Sequence, residues 1–167
     1  MENKITEIFK QAIIMEHRGK ALYEKVSEQT NSDEVKKVFD IMAEEEQSHI
    51  EFLSKQFAYY KKNNKFDKND FSSQKKQDAI AENILTKQII EKISGSGFES
   101  AAISAAIDME NKSIEVYAKQ AKETTDPNAK ELFEWLSNWE KGHLELLMDL
   151  NKQLTEKVWY DNNFWPF

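Results

Sequence analysis

Two short units in this 167-residue chain could do chemistry together: Glu46-Gln47-Ser48-His49 and Glu140-Lys141-Gly142-His143. In each, a carboxylate precedes an imidazole by three residues, which puts both side chains on one face of a helix. A carboxylate and an imidazole on one face make a pair of ligands for a divalent ion. The units lie 94 residues apart, and the same offset pairs Glu16 with Glu110 and Tyr23 with Tyr117. It also pairs Val38 with Leu132, Phe39 with Phe133 and Met42 with Leu136. The chain therefore reads as one helix pair written twice, each copy carrying Glu…Glu-x-x-His.

The candidate metal ligands are Glu16, Glu46, His49, Glu110, Glu140 and His143. Burying neighbouring carboxylates costs several kcal/mol per ion unless cations compensate. Two divalent ions balance four carboxylates when both imidazoles are neutral. Mixed carboxylate and imidazole ligation suits iron or manganese; zinc is an alternative that prefers fewer ligands and tetrahedral geometry. Ligands from four helices would hold two ions about 3.5–4 Å apart, bridged by carboxylates. A Glu from each of two helices plus Glu-x-x-His from each of the other two is the known donor set of di-iron and di-manganese bundles, so the pattern is matched here rather than derived. The competing reading is a set of buried ion pairs in a bundle without metal.

Only three histidines occur in the chain, and two of them fall in these units. The third, His17, points about 100° round the helix from Glu16 and belongs at the surface or behind a ligand. Tyr23 and Tyr117 follow Glu16 and Glu110 by seven residues, two turns along the same face. They are either core residues with satisfied hydroxyls or candidate catalytic residues, as hydrogen-bond donors to a ligand carboxylate or redox-active phenols. Gly19 and Ser113, one turn after the two glutamates, would leave room beside the metals for a small oxidant.

Helices must position these groups. A first helix over residues 3–29 has the inward seam Ile5, Phe9, Ala12, Glu16, Gly19, Tyr23 and Val26, alternating steps of four and three. A second, capped by Asn31 or Ser32 and running to about residue 62, has the seam Val35, Phe39, Met42, Glu46, His49, Leu53 and Gln56. A third begins at Ser96-Gly97-Phe98-Glu99, which has the form of a capping box, and repeats the first through Ile103, Ala106, Glu110, Ser113 and Tyr117. Asp126-Pro127 starts a fourth with the seam Ala129, Phe133, Leu136, Glu140, His143, Leu147, Leu150 and Leu154.

The expected fold is thus an all-α four-helix bundle over residues 1–157. Residues 63–96 form a long crossover between helices 2 and 3. Around its start Lys61 to Lys65 and Asp67 to Asp70 read as solvated loop, and within it Ile80 to Ile93 reads as a short helix. An aromatic tail occupies 158–167 and either folds back on the bundle or meets a partner.

Composition narrows the classes further. Charged residues make up 32% and hydrophobic ones 40%, with four Gly and two Pro, which suits long amphipathic helices. There are no cysteines, which excludes disulfides, thiolate zinc sites, iron–sulfur clusters and a Cys nucleophile. A net charge of −7 argues against nucleic acid as a partner. The opening residues have no apolar signal-peptide core and no run could span a bilayer, so the expectation is a cytoplasmic protein without a membrane partner.

Four segments carry a resemblance. Ala12 to Glu16 with Tyr23, Glu44 to His49, Asp108 to Glu110 with Tyr117, and Trp139 to His143 are similar to the helical motifs of the ferritin-like superfamily, and within it of rubrerythrin-type domains. The resemblance covers roughly residues 5–60 and 97–155. It implies a di-iron site oxidised by hydrogen peroxide or dioxygen and re-reduced by an electron donor. It also implies, with the aromatic tail, a homodimer. Rubrerythrins proper add a Cys-rich module that delivers electrons; this chain has no Cys, so a separate donor protein is expected. They also carry a further glutamate three residues after the helix-3 ligand, where this chain has Ser113. The resemblance therefore carries the metal site over more fully than the peroxidase chemistry. Besides a peroxide- or dioxygen-reducing oxidoreductase in oxidative-stress defence, iron oxidation for storage and a non-catalytic metal-binding bundle stay open.

Overall fold

The computed structural model describes residues 2–68 and 97–161. These form α1 (Glu2–Gln29), α2 (Asp33–Asn63), α3 (Gly97–Glu123) and α4 (Pro127–Asp161), with no strand among the described residues. Helix α1 packs chiefly on α2 and α3 on α4, and α1 also meets α3. The result is an all-α four-helix bundle built from two helix hairpins.

Local chemistry sets the helix ends. Ser32 caps α2, its hydroxyl oxygen accepting from the Val35 N–H at 3.3 Å. At the other end Asn64 turns left-handed, with φ of 51°, and its N–H donates to the Tyr60 carbonyl at 2.8 Å. Asp126 caps α4 by accepting from the N–H groups of Asn128 and Ala129 at 2.9 and 3.1 Å, and Pro127 takes the first helical position, where no N–H is needed. Helix α2, expected to end near residue 62, ends at Asn63, so Lys61 to Asn63 of the stretch also read as loop complete its last turn.

The alternating four-and-three spacing puts the seams where they were expected. Every seam residue from Phe9 to Val26, and every one on α2, α3 and α4, is buried; Ile5 is half-buried. Two apolar clusters result. One gathers Tyr23, Phe39, Met42, Ile103, Leu147 and Leu150. The other gathers Phe9, Leu53, Tyr117, Leu132, Phe133 and Leu136. Phe66 joins the second cluster, stacked on Phe9 at 5.3 Å between ring centroids, although its neighbours in sequence are polar. The Asp67 N–H donates to Gln56 at 3.2 Å, so the chain just beyond α2 returns to the bundle before residue 69. The rest of the expected crossover, with its short helix, and residues 162–167 of the aromatic tail lie outside the described residues. Helix α4 itself continues through Asp161.

Candidate metal centre

Between the apolar clusters lies a polar layer to which each helix contributes. Glu16 comes from α1, Glu46 and His49 from α2, Glu110 from α3, and Glu140 and His143 from α4, and all are buried. Their donor atoms converge in two groups, each with its atoms within 4.8 Å of one another: Glu16, Glu46, His49 and Glu140 in one, and Glu46, Glu110, Glu140 and His143 in the other. Glu46 and Glu140, the acids of the two Glu-x-x-His units, belong to both groups. His17 is exposed and outside the layer.

The imidazoles face inward through Nδ1. That of His49 lies 2.9 Å from Glu16 Oε2 and 3.5 Å from both Glu46 Oε2 and Glu140 Oε1. That of His143 lies 3.2 Å from Glu140 Oε2 and 3.4 Å from Glu46 Oε1 and Glu110 Oε1. Several contacts are close enough for attraction but misaligned for hydrogen bonding. Both Glu140 oxygens, His143 Nδ1 and His49 Nε2 are buried without a hydrogen-bond partner. Buried polar atoms ordinarily find partners, and leaving one unsatisfied costs about 1–3 kcal/mol. Oxygen and imidazole donors, converging, buried and partly unsatisfied, fit a pair of divalent cations.

The tyrosines cross between the halves. Tyr23 donates to Glu110 Oε1 and Tyr117 donates to Glu16 Oε1, so each phenol holds the helix-borne glutamate of the opposite repeat. Burial, then the charge of the bonded glutamate, pushes both phenols well above the ordinary tyrosine range and keeps them protonated donors.

Within the cluster the four acids divide into two that keep their protons and two that are held ionised. Burial, and then the charges of Glu140 and Glu46, hold Glu16 well above the carboxylate range. Burial and the Glu140 charge raise Glu110 to about 8. For Glu140 burial pulls upward too, but the neighbouring imidazoles of His143 and His49 prevail and hold it below its ordinary value. Glu46 is lowered in the same way, against burial and the Glu140 charge. Burial opposes charge on the imidazoles, yet the surrounding carboxylates hold both well above the ordinary histidine range.

Two features were not found from the sequence. Glu45, 3% exposed, accepts from His143 Nε2 at 2.7 Å. The signal available was a break in the repeat, because the residue 94 positions on is Trp139. The second concerns Gly19, expected to leave open room. A Cβ there would stand 3.1 Å from Glu46 Cδ, 3.3 Å from its Oε1 and 3.3 Å from Met109 Cε, so the space is already filled. The glycine lets the shared carboxylate come close to α1. Gly19→Ala, which in an ordinary helix adds about 0.5–1 kcal/mol of stability, is expected to push Glu46 aside and weaken metal binding. A metal titration checks this, and unchanged affinities would mean the carboxylate can give way without cost.

A family model described as rubrerythrin matches residues 7–151, well over half of the chain. Comparison with curated proteins and with solved structures gave no match. Among the described residues no helix is long and apolar enough to cross a membrane.

Proposed function

The chain belongs to the rubrerythrin family, and on that footing we propose that it is a di-iron oxidoreductase reducing hydrogen peroxide or dioxygen with electrons from a separate donor protein. The observation that supports this most is the sharing of Glu46 and Glu140 by both donor groups. In this reading Glu16 and His49 complete the donors of one ion, and Glu110 and His143 those of the other. When bound, two iron(II) ions supply the two electrons that cleave an O–O bond.

The protein's own part is to hold, orient and exclude. The Tyr23 and Tyr117 hydroxyls fix one oxygen each of Glu110 and Glu16 and so orient those two carboxyl groups within the layer. The apolar clusters on either side keep bulk water from the layer. Reduction of one peroxide to two waters consumes two electrons and two protons. In this reading a separate donor protein supplies those electrons.

Protein loaded with iron(II) without oxygen and mixed with peroxide tests the proposal. Oxidation within seconds, seen as new near-ultraviolet and visible absorption, is expected, with return to the ferrous state on adding reductant. Iron that stays ferrous with both peroxide and dioxygen would contradict it, as would deposition of many irons per chain.

A further inference from the structure

We infer that the two metal positions are inequivalent: the one formed by Glu110 and His143 with the shared Glu46 and Glu140 fills first and holds its ion more tightly than the one formed by Glu16 and His49. The inference rests on the di-metal reading above and concerns what stands behind each imidazole.

Behind His143 stands a carboxyl group. The Nε2–H donates to Glu45 Oε2 at 2.7 Å, and both side chains are 3% exposed. That bond would fix the tautomer of the neutral ring that a metal requires: with the proton held on Nε2, Nδ1, which faces Glu46, Glu110 and Glu140, is left as the ligating nitrogen. Behind His49 stand two indoles. Its Nε2 has no hydrogen-bond partner, and the rings of Trp135 and Trp139 pack against it edge to face, with centroids 5.5 and 5.2 Å away. To ligate through Nδ1, His49 must release its contact with Glu16 Oε2 and keep its proton on a buried nitrogen that meets no acceptor.

An imidazole whose second N–H meets a carboxylate is a more basic and better oriented ligand, and loss of such a partner typically costs about 10–100-fold in metal affinity. The remaining surroundings do not offset this. The shared glutamates serve both positions, and the crosswise tyrosine bonds to Glu16 and Glu110 are alike. The difference is written in the repeat itself. At the 94-residue offset the halves agree at every ligand, but Glu45 faces Trp139 and Ile41 faces Trp135.

The test is an anaerobic cobalt(II) titration of the metal-free full chain, followed by visible absorption and calorimetry. Wild type is expected to bind two ions in steps about 10–100-fold apart in Kd. Glu45→Leu should weaken the tight step about tenfold or more and leave the weak one in place; Glu45→Gln, which preserves size and an acceptor, should fall between. Glu110→Ala should remove the tight step and Glu16→Ala the weak one. Wild type binding fewer than two ions would overturn the di-metal reading itself. Two ions bound with both Glu45 variants matching wild type, or a tight step lost with Glu16→Ala instead, would overturn the inequivalence alone.

Discussion

Replacing Glu46 with alanine is expected to cost the protein both metal positions, leaving well under one ion per chain after anaerobic loading. The reason is geometric: Glu46 donates to both groups, with its two oxygens 3.5 Å from His49 Nδ1 and 3.4 Å from His143 Nδ1. A glutamate in one group only, such as Glu16, should cost one ion. Helix content should survive, because the apolar clusters on either side of the layer are untouched. Elemental analysis with circular dichroism separates the outcomes. Unchanged stoichiometry in Glu46→Ala would remove that residue from the ligand set, and loss of helix would make it a structural residue.

The second large effect is on pH dependence of stability, and its sign follows from the direction of each shift. Glu110, raised from 4.5 to about 8, keeps a proton in the folded chain that the unfolded chain gives up. Its stabilising contribution is full below pH 4.5 and is lost as pH rises toward 8. Glu16 acts in the same sense, and so do the imidazoles, whose contribution is full below 6.5 and lost as pH climbs through their raised folded values. Glu46 and Glu140, lowered, contribute above 4.5 and lose that contribution as pH falls. Metal-free protein should therefore be most stable near pH 4.5 and weaken by a few kcal/mol toward pH 9.

Loading replaces those protons. Glu16, Glu110, His49 and His143 each release one, so affinity for metal rises with pH. At a free ion concentration a hundred times Kd, each ion adds about 2.7 kcal/mol, or about 5–10 °C in Tm for a domain of this size. Thermal melts across pH, with and without manganese(II), check this. A metal-free protein that gains stability from pH 6 to 9 would show that the buried acids are compensated some other way.

How much of this could be read from the sequence depended on how regular each feature was. The six buried, converging residues were legible because a helical period and a 94-residue offset specify the same positions twice. Their burial follows from the apolar residues one turn to either side, such as Met42 and Leu53 about Glu46 and His49. Glu45 was not legible, since a residue adjacent to a ligand points about 100° away and is buried only because α4 brings His143 over it. Phe66 lay hidden in a polar stretch whose return to the bundle depends on the left-handed Asn64. Gly19 was singled out for the right position and the wrong reason: the space it leaves is taken by a carboxylate.

The most direct measurement is a crystal structure of the full chain soaked with iron(II) or manganese(II) without oxygen, with anomalous scattering recorded at the metal edge. Two anomalous peaks per chain are expected in the polar layer, both in contact with Glu46 and Glu140, one beside His49 and the other beside His143. A layer that binds no ion, its carboxylates still held by the protonated imidazoles, would contradict the dinuclear site.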